Sequence, residues 1–250
     1  MSAKFETFAA LHVPGDPVIL YNVWDPGSAL IVVESGARAI ATGSASVAAS
    51  QGFGDGEQLP LETALTNARR IIASVDLPVT VDFEGAYAIE PELVAANLKR
   101  LAETGAVGCN LEDQVIGGDG LHPMDRQVER LRAARDAVGP DFFINARTDI
   151  FLKARREDHD ESMVQAALAR ADAYAGAGAS GIFVPGLADL RLLAQFCTMS
   201  PLPVNFMAFP GCAEPKEIAA AGAARISHGP FPYKLAMNAF RKASEAIYGA

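Results

Sequence analysis

Short apolar runs recur along the chain, each followed by a turn residue and then by a longer stretch whose apolar positions fall three and four apart. This is the pattern of a buried strand followed by an amphipathic helix. The spacing predicts a strand over Val18–Trp24 and a helix over Pro26–Gly36, with proline at its start and glycine at its stop. It then predicts a strand over Ala39–Ser44, a long loop over Ala45–Pro60 and a helix over Leu61–Val75. The pairs Pro78–Phe83 with Pro91–Gly105, Val107–Leu111 with Asp125–Val138, and Phe142–Ala146 with Glu161–Gly176 repeat the plan. So do Gly181–Val184 with Leu187–Thr198, Pro203–Met207 with Glu214–Gly222, and Ala224–Ser227 with Lys234–Tyr248. Eight such units without a hairpin signal predict parallel strands joined by helical crossovers. Eight close naturally into a (β/α)8 barrel of the TIM type, one α/β domain over residues 1–250. An open doubly wound sheet is the alternative, and no Gly-x-Gly-x-x-Gly follows the first strand to support it.

A barrel of this kind places its chemistry at the C-terminal ends of the strands. The polar residues obey that demand. The first strand ends at Tyr21, Asn22, Trp24 and Asp25, the second at Thr42-Gly43-Ser44, and Asp55 lies in the loop that follows. The third and fourth end in Asp82, Glu84, Glu112 and Asp113, and the fifth in Asn145-Ala-Arg147-Thr-Asp149. Asn205 lies on the seventh, and Ser227-His228-Gly229 ends the eighth.

Asp82 and Glu84 are two apart, so strand alternation points both to one face, and Glu112-Asp113 repeats the plan on the next strand. Carboxylates crowded together repel, and a hard divalent cation relieves the cost; Mg²⁺ takes oxygen ligands and keeps several waters. These acids are therefore read as a metal site, against the plainer reading of solvated strand ends or helix caps. Arg147, among them, suits bidentate contact with a substrate carboxylate or phosphate, or a salt bridge to Asp149 or Glu112. Thr42, Gly43, Ser44 and Ala45 are small and offer backbone N–H groups to an anionic oxygen, or simply turn the chain into a helix. Together these features point to a small anionic 2-oxo acid substrate chelated to Mg²⁺.

Composition narrows the partners. The 250 residues carry a net charge of -9, which argues against a general nucleic-acid or anionic-membrane binder. No apolar stretch is long enough to span a bilayer, and the first residues lack the apolar core of a signal peptide. Cys109, Cys197 and Cys212 form neither a metal-ligand spacing nor a disulfide framework, so a reducing cytoplasm is the expected compartment. His12 and His159 are read as surface residues and Cys109 as core.

The segments Asp82-Phe-Glu84-Gly, Leu111-Glu112-Asp113-Gln114, Asn145-Ala-Arg147-Thr-Asp149 and Thr42-Gly-Ser44…Gly54-Asp55 resemble the isocitrate lyase/phosphoenolpyruvate mutase superfamily, in the same order and over nearly the whole chain. The resemblance implies a modified barrel, bound Mg²⁺ (with Mn²⁺ as a substitute) and 2-oxo acid or enolate chemistry. It also implies a homo-oligomer, a dimer or a dimer of dimers, whose last helix packs on a neighbouring subunit. Carried over, Asp82 resembles the direct metal ligand, and Asp55, Glu84 and Glu112 resemble ligands acting through water. Gly43, Ser44 and Ala45 resemble the substrate-anion turn, and Arg147 the substrate clamp. Trp24 and Asp25 lie near the first-strand site residues, and Asn205 completes the substrate-binding set.

The chain departs from that pattern as well. The lyases carry Lys-Lys/Arg-Cys-Gly-His after the fourth strand, where this chain has Val115-Ile-Gly-Gly-Asp-Gly-Leu121; they carry a glutamate after the sixth, where it has Pro185-Gly186. The Lys and Asn of the mutase gating loop are missing too. His228 is a candidate acid or base in their place, against a histidine that only satisfies loop backbone, so the catalytic group is Arg147, Glu112 and His228. The expected function is Mg²⁺-dependent C–C cleavage of a small 2-oxo or 2-hydroxy dicarboxylate through a metal-stabilised enolate. The alternatives are P–C chemistry of the phosphoenolpyruvate mutase or phosphonopyruvate hydrolase type, and a barrel that binds a metabolite without turnover.

Overall fold

The computed structural model describes residues 3–249. Its eight strands are β1 Val18–Leu20, β2 Ile40–Ala41, β3 Val79–Asp82, β4 Gly108–Glu112, β5 Phe143–Arg147, β6 Gly181–Phe183, β7 Val204–Met207 and β8 Arg225–Ser227. All pair in parallel, in the order β1-β8-β7-β6-β5-β4-β3-β2. At the remaining seam Val23 bridges to Thr42, and the Val23 N–H donates to the Ala41 carbonyl at 2.9 Å. The result is a nearly closed (β/α)8 barrel, as the eight-fold pattern predicts. The helices are α1 Ala3–Ala10, α2 Pro26–Glu34, α3 Ser44–Ser50, α4 Leu61–Ser74, α5 Pro91–Ala102, α6 Met124–Val138, α7 Glu161–Gly176, α8 Leu190–Met199, α9 Pro215–Ala220 and α10 Phe231–Tyr248. Among the described residues no helix is long and apolar enough to cross a membrane.

Two helices depart from expectation. The segment read as a loop from Ala45 opens instead with α3, which begins as soon as β2 ends. Its sequence, Ser-Ala-Ser-Val-Ala-Ala-Ser, is small and carries too little apolar contrast to declare a face. The other is α1, whose Phe8 plugs the N-terminal pole of the barrel against Val18, Leu20, Val107 and Phe143. His12 follows it inward: it is buried, stacked on Phe143 at 4.2 Å and bonded to the Phe8 carbonyl at 2.9 Å, so the surface reading of His12 is overturned. The barrel floor must be closed by something apolar, and the chain uses its first helix.

Outward-facing strand residues such as Val81, Leu111, Ile144 and Ile226 pack on Leu65, Val94, Leu131 and Leu193 of the surrounding helices. The interior carries a polar layer. Asn145 Nδ2 donates to Asn110 Oδ1 at 2.9 Å and to Asn205 Oδ1 at 3.2 Å, across β6. Gly181 makes this crossing feasible, because a Cβ there would lie 3.0 Å from both Asn145 Oδ1 and the Phe143 ring. Asn205 Nδ2 donates in turn to Ser227 Oγ at 3.0 Å and to the Phe206 carbonyl at 2.7 Å. This layer lies beneath the C-terminal ends of the strands.

Candidate active site

Asp82 is held from three sides. Its backbone N–H donates to Thr42 Oγ1 at 3.0 Å. Oδ2 accepts from Ser44 N–H at 3.0 Å and Ser44 Oγ at 2.9 Å, and Oδ1 from Asn110 Nδ2 at 3.0 Å. Ser44 is the first residue of α3, so the carboxylate sits where the helix N-terminus favours negative charge. Of the turn expected to bind a substrate anion, Gly43 donates its N–H to Val23 O at 3.3 Å and Ser44 to Asp82. Gly43 also needs its lack of a side chain: a Cβ would lie 3.3 Å from the Gly229 carbonyl.

Glu84 reaches the site by a different route from the one alternation suggests. β3 ends at Asp82, and Glu84 has φ 51°, a left-handed conformation that aims it by the turn rather than by the pleat. Its Oε1 accepts from the N–H groups of Gly56 at 2.9 Å and Glu57 at 3.2 Å, which brings the Asp55 turn against the end of β3.

Glu112 and Arg147 are register partners on β4 and β5. Arg147 donates through Nε to Asp149 Oδ1 at 2.7 Å and through Nη2 to Oδ2 at 2.9 Å. Its Nη1 lies 2.7 Å from Glu112 Oε2, an ion-pair contact without the geometry of a hydrogen bond, since that buried oxygen has no hydrogen-bond partner. The salt bridges weighed for Arg147 therefore both form, and Arg147 still lines the cavity. Asp113, one residue on, faces the other way: it accepts from Asp149 N–H at 3.0 Å, Arg170 Nη1 at 3.0 Å and Tyr174 Oη at 2.8 Å. It locks the end of β5 and does not join the acids of the cavity.

That cavity, of about 230 Å³, is lined by Ser44, Asp55, Gly56, Glu84, Glu112, Gln114, Ile116 and Arg147. Burial first, then the charges of Asp82 and Asp55, push Glu84 up to about 8. Burial also raises Glu112 well above the usual carboxylate range, although Arg147 opposes it. For Arg147 burial works against the charge, and Glu112 and Asp149 outweigh it to raise the pKa. The site thus holds more carboxylate than its one cation balances, with oxygen donors only. Among the described residues no three His, Cys, Asp or Glu side chains are gathered closely enough to cage a metal by themselves. The oxygen donors that line the cavity are of the type a hard cation takes.

The other expected site residues lie elsewhere at the same pole. Asp25 caps α2, accepting from Ser28 N–H at 2.7 Å, and Trp24 packs edge-on against Tyr233 at 5.2 Å; both line an apolar groove beside α10. The Asp-Pro-Gly-Ser sequence at 25–28 is a cap signal that accounts for Asp25 without substrate. His228 Nδ1 contacts the Leu20 carbonyl at 3.2 Å, its N–H donates to Asn22 Oδ1 at 2.7 Å, its ring meets Tyr21 at 5.0 Å, and burial lowers its pKa. Asn205 lies in the buried layer described above. None of these four lines the acid cavity. Conversely, Gln114, Ile116 and Gly56 line it and Asn110 fixes Asp82, roles that single-strand polarity does not reveal.

Residues 8–248 match the family model described as phosphoenolpyruvate phosphomutase. The chain belongs to this family. It thereby falls within the isocitrate lyase/phosphoenolpyruvate mutase superfamily, as its motifs imply. Among solved structures, one from Burkholderia cenocepacia J2315, provisionally described as a phosphonomutase, is 47% identical with a TM-score of 0.94, covering 99% of this chain and 98% of that one. The 2,3-dimethylmalate lyase structure is 27% identical with a TM-score of 0.85, covering 99% and 88%. The 2-methylisocitrate lyase of Escherichia coli K12 is 30% identical over 214 residues, 78% of this chain and 70% of the enzyme. Relatives within the superfamily thus include lyases, and the chain belongs to a superfamily of enzymes.

In this phosphomutase-family chain the segment after β4 is a short hairpin. Gln114 bridges to Leu121, Val115 N–H donates to Gly120 O at 3.1 Å, and His122 N–H donates to Asp113 O at 2.7 Å. The hairpin lays Ile116 over the cavity, where a Cβ on Gly85 would lie 3.2 Å from its Cγ1. An apolar side chain therefore occupies the wall after β4, on the loop that has no lysine or cysteine.

Proposed function

We propose that the chain is a Mg²⁺-dependent carbon–carbon lyase acting on a small 2-oxo or 2-hydroxy dicarboxylate. The observation that carries this reading is the cavity in which Asp55, Glu84 and Glu112 face Arg147, with Asp82 fixed beside it. Asp82 would hold the cation directly, and Asp55, Glu84 and Glu112 chiefly through water. Mg²⁺ bound there would supply a Lewis acid that stabilises negative charge developing on a 2-oxo acid as the bond breaks. Arg147, oriented by Asp149, would bind a substrate carboxylate, and Glu112 would accept a proton beside it. Ile116 would keep water from the reacting face. The cavity of about 230 Å³ lies below the ~300–1,000 Å³ of drug-sized ligand sites, which suits a small acid.

The test is pyruvate release by the pure protein from oxaloacetate and methylmalate-type acids, with Mg²⁺ and with excess EDTA. The reading expects turnover that EDTA abolishes. Oxalate binding with no turnover of any such acid would favour a metabolite-binding barrel instead. A second reading, P–C cleavage or rearrangement, draws on the description of the 47% identical Burkholderia protein. It predicts phosphate or phosphoenolpyruvate from phosphonopyruvate.

The family's oligomeric habit extends to this chain in the proposal. On α10 only Pro232 is buried, whereas Phe240 is 71% and Ile247 79% exposed. An amphipathic helix left so bare fits packing on a second copy, the dimer or dimer of dimers of the sequence reading. Light scattering of the pure protein tests it, and a monomer would refute it.

A further inference from the structure

Two turns deliver acids to the cavity, 54–58 with Asp55 and 84–87 with Glu84, and they grip each other reciprocally. Glu84 accepts from the Gly56 and Glu57 N–H groups, and Glu57 Oε1 accepts the Tyr87 N–H at 2.6 Å. The residues at this crossing are left-handed: Glu57 at φ 58°, Glu84 at 51°, Ala86 at 63° and Tyr87 at 55°. Side chains other than glycine adopt that region at a cost of roughly 1–3 kcal/mol each, and it persists only where the surroundings impose it. Arg130 of α6, fully buried, is the other restraint. Its Nη2 donates to the carbonyls of Gly85 at 2.6 Å and Ala88 at 3.1 Å, and its Nη1 to that of Glu112 at 3.2 Å. Glu57 and Arg130 converge on Gly85, where a Cβ would lie 3.1 Å from Glu57 Oε1 and 3.5 Å from Arg130 Nη2. The carboxylate of Glu57 and the guanidinium of Arg130 thus fix, from outside the cavity, the backbone from which Asp55, Glu84 and Glu112 extend.

We propose that Glu57, backed by Arg130, is a positioning residue that sets the spacing of the cavity carboxylates and hence their affinity for a divalent cation. The proposal rests on the cation reading of the site. Groups that orient metal ligands without touching the metal typically contribute roughly 10–100-fold in affinity.

The test is a Mn²⁺ titration of the full chain, with free Mn²⁺ followed by electron paramagnetic resonance, alongside melting of the metal-free protein. Glu57→Ala should weaken Mn²⁺ binding by roughly 10–100-fold. Glu57→Gln, whose Oε1 still accepts from Tyr87 N–H, should recover most of it. Gly85→Ala, which crowds the Glu57 carboxylate without deleting it, should weaken binding in the same direction and guards against a Glu57→Ala protein that does not fold. Equal Mn²⁺ affinity in wild type and both Glu57→Ala and Gly85→Ala overturns the proposal, as does a Glu57→Ala loss that Glu57→Gln leaves unrecovered. Wild type that binds no Mn²⁺ overturns the cation reading itself, an outcome distinct from the other two.

Discussion

Along one rim of the barrel, the ends of β2 to β5 and the ends of β7, β8 and β1 both carry polar side chains, yet the two sectors differ in what those side chains are doing. In the second sector Asp25 caps a helix, Asn205 joins a buried amide chain, and His228 meets the backbone at the end of β1. Each has a structural partner inside the protein. In the first sector the carboxylates of Asp55, Glu84 and Glu112 crowd a cavity with Arg147 as their cation, burial raises Glu84 and Glu112, and Glu112 Oε2 has no hydrogen-bond partner. Position at the catalytic pole marks where chemistry can occur. Unbalanced charge marks where it is set up.

The contrast makes graded demands. Arg147→Met leaves Asp149 and Glu112 buried without their cation, and should cost roughly 3–5 kcal/mol in a urea melt. A loss below 1 kcal/mol would mean that Arg147 is not what balances the sector. A smaller effect follows from Glu84, which burial and the charges of Asp82 and Asp55 push up to about 8 from the ordinary 4.5. The metal-free protein takes up a proton on Glu84 as pH falls through 8, so folding is favoured at the lower pH and that stability is lost as pH rises. Glu84 by itself contributes at most about 1.4 kcal/mol per pH unit between 8 and 6.5, and Glu112, also raised by burial, adds in the same direction. Below 6.5 buried His12, held to about 3 by burial and by Arg225, works the other way. Melts in EDTA across pH 6.5–8 measure this; saturating Mg²⁺, which keeps Glu84 ionised, should remove the slope, and a slope unchanged by Mg²⁺ would contradict the assignment.

In the satisfied sector, Asp25→Ala should lose about 1 kcal/mol with its cap, and leave cation binding untouched. His228→Ala should do least: about 1 kcal/mol or less from the lost contact to Leu20 O, with oxalate affinity within threefold of wild type. A large loss of oxalate affinity in His228→Ala would move the chemistry toward β8.

The division between what was legible in the chain and what was not follows the same line. Strand, turn and helix recur with enough contrast that the barrel and its polar pole can be read directly. The cluster Asp82, Glu84, Glu112 and Arg147 is legible because acids ending apolar strands are costly without a partner. Asp113 shows the limit: adjacent to Glu112, it points to the opposite face and meets Arg170 and Tyr174, partners far away in sequence. The bond between Glu57 and Tyr87 is equally hidden, since nothing local in Gly54-Asp-Gly-Glu57 names an acceptor thirty residues on. The burial of His12 is hidden as well, because nothing local to it shows that the barrel floor needs plugging.

The central claim is that the β2–β5 sector is a cation and 2-oxo acid site. Its most direct test is the melting temperature with Mg²⁺, with oxalate, which mimics the pyruvate enolate, and with both, in wild type and in Asp82→Ala. A ligand that binds only the folded state raises the melting temperature, by about 2.7 kcal/mol of stability at a hundred times its dissociation constant. The account predicts a rise that needs Mg²⁺ and oxalate together in wild type and is absent in folded Asp82→Ala. No rise in wild type, or an equal rise in Asp82→Ala, would contradict it.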